Sequence, residues 1–431
     1  MLLDRRQFLR TTGSAALGVT VGGTLAACGS SSGDGSPGTL TFSVWGSDAE
    51  IAAFNTLARA FEKKNGEVKV KVEQLPFDQM RQTLDARLQS EQGPDLFRVT
   101  YNDIGLYASQ GVLLELGSAV GDQRAAFLDA LWAGVQYEGK PYGIPHHTDT
   151  TAVVFNKDHF AAAGITDVPQ ALDEAWSWEE FIEVAERLSA KTGQPAFGVN
   201  WQQAGAFRWF NWLWQNGGRA LSDDGKSSVL DSPEARSALA FTRSFYDDGL
   251  MPTNLMLKTN TSPDLVFPSG KISMGFVGDF LLADLTKRTT DFDFGVTYLP
   301  RGSGGAAADL GGNAVAVTTQ SGNPEAATAF ASFLAEPANM QAFCEKTTVL
   351  PARKELADTR LDFAVRPDLM PTYQTQATAI PTDLARLVTL PGFAAVNDAL
   401  VQQLETFFTG GQSADDALGA LSDALDEALA A

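Results

Sequence analysis

Aromatic side chains stand beside planar polar side chains at the ends of predicted strands in this chain of 431 residues. Flat rings can cover the apolar faces of a cyclic polyol, and carboxylates or amides can bridge its hydroxyl groups. Loops at strand ends are where an α/β protein presents such groups to a ligand. Five candidates of this kind follow the predicted strands at 40–46 and 96–100: Trp45, Asp48, Tyr101, Asn102 and Asp103.

Tryptophan is concentrated in one stretch, because six of the eight lie between residues 176 and 214. Helical spacing assigns Phe210 and Trp214 to a core, and Trp176 is predicted to precede a helix as half of a hydrophobic staple. Three other aromatic side chains of this stretch remain candidate platforms for a ligand ring: Trp201, Phe207 and Trp209.

Histidines and carboxylates raise the alternative of an enzyme. His146 and His147 could bind a metal or act as a base, but adjacent residues of an extended strand point to opposite faces, so we predict no joint chelation. No HExxH, P-loop or CxxC motif is present, and no catalytic residue, metal or cofactor is predicted. The carboxylates of Asp48 and Asp149 could in principle cleave a glycosidic bond, which leaves a glycosidase as an alternative.

The predicted elements that must position these residues alternate between strands and helices. Residues 40–46 and 68–73 alternate apolar and polar side chains, while 47–66 has apolar residues at helical spacing, which predicts a βαβ start. The fold class is therefore α/β. Helix starts are marked by two capping boxes and two prolines: Ser47 with Glu50, Ser177 with Glu180, Pro233 and Pro324.

The first 37 residues have the layout of an export signal and a tether. A basic head, MLLDRRQFLR, precedes an uncharged run that is too short for a comfortable membrane span. The following LAAC resembles the lipobox of bacterial lipoproteins, which implies a lipid on Cys28. Arg5 and Arg6 resemble the twin-arginine signal, with the general export route as the alternative. We predict a signal at 1–27 and a flexible tether at 28–37.

Composition bounds the folded body that follows. About 390 residues with 44% hydrophobic content can bury more than one core, so two lobes are expected. The net charge of −20 repels nucleic acid and anionic lipid head groups, so neither is a predicted partner. The second cysteine, Cys344, is predicted to form no disulfide with the distant Cys28.

Several segments stand in a recognisable order along the chain: GPDLFRVTYNDIGLYASQGVLLEL at 93–116, YEGKPYGIP at 137–145, VVFNKDHFAAAGI at 153–165, FPSGKISMGFVGDF at 267–280 and FGVTYLP at 294–300. Together they resemble the solute-binding proteins of bacterial ABC importers, in particular the sugar-binding, maltose-binding-protein-like branch. The resemblance implies a two-lobed periplasmic-binding-protein fold of type II, with crossing hinge strands and a ligand cleft between the lobes. It divides the chain into two discontinuous lobes: lobe 1 at 38–147 and 296–319, lobe 2 at 148–295 and 320–431.

The same resemblance implies which residues contact the ligand. Trp45, Asp48 and Asp149 match contact positions of sugar-binding relatives, although Asp48 could serve only as an acid at its helix start. Asn102 stands where the family has an acidic contact, and this departure argues against maltose itself. A further aromatic contact, a backbone-exposing turn and a C-terminal contact are expected from residues downstream: Asp279, Phe280, Gly311, Gly312, Asn313 and Phe393.

The implied function is capture of a sugar, from mono- to oligosaccharide, by hinge closure, with delivery to the permease of an ABC importer. The protein is expected to be a monomer that is held at the membrane by lipid on Cys28. A non-sugar solute, such as a glycerophosphodiester, polyamine or peptide, is the alternative. A phosphate-bearing ligand should recruit Arg or Lys. Since Arg98 and Arg208 are the only cations expected at the cleft, a neutral sugar is favoured.

Overall fold

The computed structural model describes residues 38–430. The predictions of an export signal, of lipid on Cys28 and of a tether concern residues 1–37 and lie outside the described residues. Cys344 is a buried free thiol. Among the described residues, no single helix is long and apolar enough to cross a membrane, and only the pair Thr382–Val388 and Phe393–Phe408, bent by 99°, reaches that length and composition when taken together.

A six-stranded sheet forms the first lobe. In spatial order its strands, numbered along the chain, are β12 (Leu350–Pro351), β6 (Ile144–Thr148), β11 (Asn313–Val317), β3 (Leu96–Thr100), β1 (Thr39–Val44) and β2 (Lys69–Gln74). Strand β1 pairs in parallel with β2 and β3, whereas β11 is antiparallel to both β3 and β6. Because the carboxyl ends of parallel strands meet at one sheet edge, Trp45 after β1 and Asn102 after β3 emerge on the same side.

A four-stranded sheet forms the second lobe. Its spatial order is β10 (Phe294–Thr297), β7 (Thr151–Asn156), β9 (Met274–Gly278) and β8 (Phe197–Gly198), and a separate hairpin joins β4 (Gln136–Tyr137) to β5 (Lys140–Pro141). Every residue of β7 and β9 is buried. Both faces of this sheet are therefore covered by other parts of the protein.

Helices cover both sheets, and the described residues contain eighteen α-helices. In chain order they are α1 (Asp48–Lys64), α2 (Phe77–Gln89), α3 (Tyr101–Ser109), α4 (Gly117–Val120), α5 (Asp129–Ala133), α6 (Lys157–Ala162), α7 (Trp178–Thr192), α8 (Phe210–Gln215), α9 (Pro233–Asp247), α10 (Pro263–Val266), α11 (Leu282–Arg288), α12 (Pro324–Leu334), α13 (Pro337–Thr347), α14 (Lys354–Ala357), α15 (Met370–Ala377), α16 (Thr382–Val388), α17 (Phe393–Phe408) and α18 (Ala414–Ala430).

The predicted helix starts are confirmed. Ser47 and Ser177 each accept a hydrogen bond from the backbone of the glutamate three residues later, whose side chain accepts one from the serine backbone. These are reciprocal capping boxes. Pro233 and Pro324 occupy the first turns of α9 and α12, after the capping residues Ser232 and Asn323. The first turn of α1, which follows Trp45, is thereby held in place by its own sequence.

The chain crosses between the lobes at residues 149–150, where β6 continues into β7, and again between β10 and β11. It crosses once more after α14, because β12 pairs with β6 of the first lobe and α15 packs against β7 of the second. Two stretches differ from the predicted lobe boundaries. Strand β12 pairs with β6, and α12 and α13 pack against α1, so residues 324–351 belong to the first lobe. Strand β10 pairs with β7 through Thr297, so the second lobe extends past residue 295. In both cases, the lobe to which a segment belongs is set by pairing and packing with elements that are distant in sequence.

Candidate functional site

A cavity of about 670 Å³ lies between the two lobes. Its first-lobe wall is formed at the ends of β1 and β3 and by α2. Its second-lobe wall is formed by a short 3-10 helix at Gln203–Trp209 and by the start of α17. The first wall includes Trp45, Phe77, Arg81 and Asn102, and the second includes Gln203, Phe393 and Asp398.

Arg98 holds Trp45 in place from the protein side. Its guanidinium carbon lies 4.9 Å from the centre of the Trp45 ring, and its Nη1 donates to the Trp45 carbonyl oxygen at 2.6 Å. Its Nη2 pairs with Glu50 Oε1 at 2.8 Å, and only 5% of the Arg98 side chain is exposed. A buried guanidinium between an aromatic face and a carboxylate gains both cation–π and charge-assisted contacts. Arg98 therefore orients Trp45, and its charge has a partner already.

Two buried histidines extend this network, in a geometry that corrects the prediction. The Nδ1 atoms of His146 and His147 lie 3.1 Å apart, so the rings do not point to opposite faces. The pairing of β6 with β11 shifts register here, because Asn313 faces His147 while Ala314 faces Pro145. A bulge of this kind inserts an extra residue and turns its side chain. Burial lowers the pKa of His146 to about 3, and the pKa of His147 is also lowered, so both rings are neutral.

Asn102 offers the cavity an unpaired amide, whereas Asp103 is partly engaged. Among the described residues no hydrogen bond to the Asn102 side chain is present. Asp103 Oδ2 accepts from Thr100 Oγ1 at 2.7 Å, and Oδ1 lies 3.6 Å from Arg81 Nη1. Burial raises the pKa of Asp103, and the Thr100 hydrogen bond and the Arg81 charge work against that increase. The first wall thus presents one indole ring, one free amide and a neutralised charge pair.

The second wall is fixed by Asn397 of α17. Its Oδ1 accepts from the Phe207 backbone at 3.1 Å, and its Nδ2 donates to the Gln203 carbonyl at 3.1 Å. The Phe207 ring packs 6.4 Å from that of Phe393, which lines the cavity. Asp398 is exposed on the same wall. Asn397 therefore joins the two backbone segments of this wall.

Arg208, like Arg98, forms an ion pair with a carboxylate of the protein. Its Nε pairs with Asp309 Oδ2 at 2.9 Å, and Asp309 also accepts from the backbone and hydroxyl of Thr151. Both arginines expected at the cleft are thus neutralised by buried carboxylates. A free anion would have to compete with these partners.

A pair of carboxyl groups sits where β6 continues into β7. Asp149 and Asp279 are close enough for their carboxyl groups to interact, and each has one buried side-chain oxygen that accepts no hydrogen bond from another described residue. Burial raises the pKa of Asp149 to about 7, and the Arg98 charge opposes that increase. Burial and the nearby Asp149 raise the pKa of Asp279 well above its usual range. Two carboxylates have only acceptors, so the pair holds a proton.

A glycine turn lets the second crossing approach the first. Gly312 has φ +90°, and a Cβ there would lie 2.5 Å from both the His147 carbonyl oxygen and the Thr148 Cα. Gly311 donates its backbone N–H to the Asp149 carbonyl at 2.9 Å. Only glycine allows this backbone conformation and this approach. The turn brings the two crossings into contact beside Asp149.

Four of the predicted residues line the cavity: Trp45, Asn102, Asp103 and Phe393. Asp48 is exposed in the first turn of α1, and Phe207 lies behind Phe393. Four other predicted contacts do not line the cavity and lie at the crossings between the lobes: Asp149, Gly311, Gly312 and the partly exposed Phe280. Their contact with ligand stays a prediction.

Five predicted contacts are buried and bonded inside the protein. The prediction is wrong for Trp201 and Trp209, whose rings are fully buried and whose indole N–H groups donate to Leu255 and Thr242. Tyr101 donates its hydroxyl to the His147 carbonyl. Two side chains accept hydrogen bonds at the hinge and behind Trp45: Asp279 from Thr150, and Asn313 from Arg98.

Sequence reasoning missed several residues that line the cavity, among them Phe77, Arg81, Gln203 and Asp398. Phe77 follows β2 by three residues, just as Trp45 directly follows β1. A survey of every strand end would have included it. Gln203 and Asp398 are close only because α17 packs on the 3-10 helix, which no local pattern indicates.

Comparison with known proteins points to one family. The family model of bacterial extracellular solute-binding proteins matches residues 56–379. The galactooligosaccharide-binding protein of Bacillus subtilis is 26% identical over 355 residues, which cover 78% of each chain. The diacetylchitobiose-binding protein of Streptomyces coelicolor is 27% identical over 351 residues, 76% of this chain and 77% of its own.

A solved structure shows the same fold. The cyclic alpha-maltosyl-1,6-maltose binding protein from Arthrobacter globiformis superimposes with a TM-score of 0.77 at 22% identity, covering 91% of this chain and 98% of that one. The two lobes described above are therefore the lobes of the type II fold expected from the sequence.

Proposed function

The chain belongs to the bacterial extracellular solute-binding proteins, and on that premise we propose that it captures a neutral sugar between its lobes and delivers it to an ABC importer. The cavity carries the proposal, because it combines the Trp45 ring with the free amide of Asn102 and the carboxylate of Asp398. An aromatic ring can stack on the apolar face of a pyranose, and planar polar groups can form hydrogen bonds with its hydroxyl groups. The relatives named for galactooligosaccharide and diacetylchitobiose support the same ligand class.

The charges of the site favour a neutral ligand over a phosphate-bearing one. Arg98 and Arg208 are paired with Glu50 and Asp309, and Arg81 stands beside Asp103. Binding a phosphate at Arg98 or Arg208 would break a buried ion pair and leave a carboxylate without its partner, which is unfavourable. A glycerophosphodiester is therefore the weaker candidate.

A thermal-shift screen tests the proposal. We expect a neutral sugar to raise the melting temperature, since a ligand at a hundred times its Kd stabilises by about 2.7 kcal/mol. The Trp45→Ala protein should lose most of this shift. Trp214→Ala is the control, because it removes a partly buried indole that does not line the cavity. A shift with glycerophosphocholine or spermidine and none with any sugar would overturn the sugar assignment.

A binding protein needs no catalytic group, and we propose that this one is not an enzyme. Of the two carboxyls considered for hydrolysis, Asp48 is exposed at the start of α1, whereas Asp149 is buried beside Asp279 at the hinge. Incubation of the purified protein with oligosaccharides should release no reducing sugar. Release that is lost in the Asp149→Asn variant would contradict the proposal.

We also propose that lipid on Cys28 holds the protein at the outer face of the cell membrane. The LAAC segment and the polar tether that follows it support the anchor. In cells, Cys28→Ser should move the protein from the membrane fraction to the soluble one and leave sugar binding intact. Full membrane retention of the Cys28→Ser protein would refute the anchor. Lys replacement of Arg5 and Arg6 should block export if the twin-arginine route is used.

A further inference from the structure

Phe77 is an exposed aromatic residue at the rim of the cavity. It is 65% exposed, more than any other large apolar side chain among the described residues. It begins α2, directly after Pro76, and its ring centre lies 5.8 Å from that of Trp45 with the planes tilted by 51°. An exposed aromatic residue that lines a cavity is a candidate ligand contact.

The ordinary structural role does not account for Phe77. The apolar stripe of α2 continues through Met80, Leu84 and Leu88, and these three residues are buried against the first lobe. Phe77 lies on the same stripe at the end of the helix, yet most of its ring remains in solvent. The stripe therefore runs out of the core and into the cavity.

The two rings cannot both lie flat against one sugar. Arg98 covers one face of the Trp45 indole, so a ligand can stack only on the other. A pyranose parallel to that face would meet Phe77 at the tilt of 51° rather than face to face. Stacking on both aromatic residues therefore requires two sugar units whose mean planes differ, as linked pyranoses allow.

We propose that Trp45 and Phe77 hold two consecutive units of an oligosaccharide, so that the ligand has at least two sugar rings and Phe77 sets this chain-length preference. The inference rests on the proposed function and specifies its ligand. The cavity volume of about 670 Å³ lies within the range of 300–1,000 Å³ that accommodates ligands larger than one small ring.

Polar groups stand beside the second ring as well as the first. Arg81 follows Phe77 by four residues, so both side chains lie on one face of α2. Its guanidinium is about half exposed and only 3.6 Å from Asp103, which leaves donors for hydroxyl groups. The Phe77 end of the cavity thus repeats the combination of ring and planar polar group found at Trp45.

Calorimetric titration with matched sugars tests the proposal. The probes are glucose with maltose and maltotriose, galactose with β-1,4-galactobiose, and N-acetylglucosamine with diacetylchitobiose. For the series that binds, we expect the disaccharide to bind more tightly than its monosaccharide. Phe77→Ala should weaken disaccharide binding about ten- to a hundredfold, the effect of losing one buried ring, and weaken monosaccharide binding clearly less, because a single sugar ring can stack on Trp45 alone.

Two variants complete the design. Phe77→Trp should restore disaccharide affinity, and Leu265→Ala is the matched control because Leu265 is 51% exposed and does not line the cavity. Equal affinity of Phe77→Ala and the unmodified protein for the disaccharide would overturn the proposal, as would an equal loss for both sugar lengths. If no sugar binds the unmodified protein, the proposed function fails together with this inference.

Discussion

Asp149 and Asp279 are the residues whose protonation links the hinge to pH. Both carboxyls have a raised pKa in the folded protein, that of Asp149 about 7. The charged groups around Asp149 are Arg98, Glu50 and Arg208, and the ionisable residues Tyr101 and Cys344 face the same place. An unfolded chain would lose both protons near pH 4. The native state therefore binds more protons between about pH 4 and 7.

The first prediction follows from the sign of this difference. Where the native state binds more protons, the free energy of unfolding falls as pH rises. The contribution of Asp149 is largest below about pH 4 and is lost as pH rises through about 7, and that of Asp279 is lost at a pH well above the usual range of a carboxyl. Asp279→Asn should flatten this slope by up to about 1.4 kcal/mol per pH unit, because an amide keeps a hydrogen bond to Asp149 without titrating. Urea unfolding across this pH range measures the change.

The control for this prediction is Asp122→Asn, which changes an exposed carboxyl of the first lobe. Its pH dependence should match that of the unmodified protein. If Asp279→Asn shows the unmodified slope as well, the pair does not share a proton.

At the scale of elements, the contact between the two crossings depends on Gly312. The left-handed conformation alone costs a non-glycine residue about 1–2 kcal/mol. At Gly312 a methyl group would also meet the backbone of His147 and Thr148 at 2.5 Å, so strand β6 would have to move. A substitution at Gly312 therefore has two separate costs, that of the left-handed backbone conformation and that of the steric contact with β6.

A matched pair of substitutions separates these costs. Gly305 has φ +98°, and a Cβ there would meet no atom within 4 Å. Gly305→Ala should lower the free energy of unfolding by about 1–2 kcal/mol, and Gly312→Ala should lower it by clearly more. Chemical denaturation measures both. Equal losses would mean that the two crossings do not pack as described.

At the scale of the whole molecule, the cavity is lined by both lobes, so a ligand that touches both walls favours the closed arrangement. We expect saturating sugar to lower the radius of gyration measured by small-angle X-ray scattering. Trp45→Ala at the same sugar concentration should show little decrease. A radius that is unchanged by a sugar of known Kd would contradict hinge closure.

Phe280 tests how far the ligand site reaches toward the hinge. It is 46% exposed at the end of β9, and a Cβ on Gly278 would lie 2.3 Å from its ring. If the ring reaches the ligand, Phe280→Ala should cost about 1–3 kcal/mol of binding and leave the unliganded melting temperature unchanged. Calorimetry with the sugar found in the screen checks this, and an unmodified Kd would place Phe280 outside the site.

Features whose causes lie within a few residues of each other could be predicted from the amino-acid sequence. The capping boxes at Ser47 and Ser177 need only a glutamate three residues later. Trp45 and Asn102 reach the cavity because they lie one and two residues after the ends of the parallel strands β1 and β3. Both predictions use period and spacing, which are local properties of the chain.

Features that depend on partners distant in the chain became visible in the folded protein. Trp201 and Trp209 had the residue type of ligand contacts, but Leu255 and Thr242 take their N–H groups in the core. The bulge that brings His146 beside His147 arises from pairing with β11, more than 160 residues away. The wall that contains Gln203 exists because α17 packs on it. Burial and strand pairing are set by long-range contacts, which local spacing does not contain.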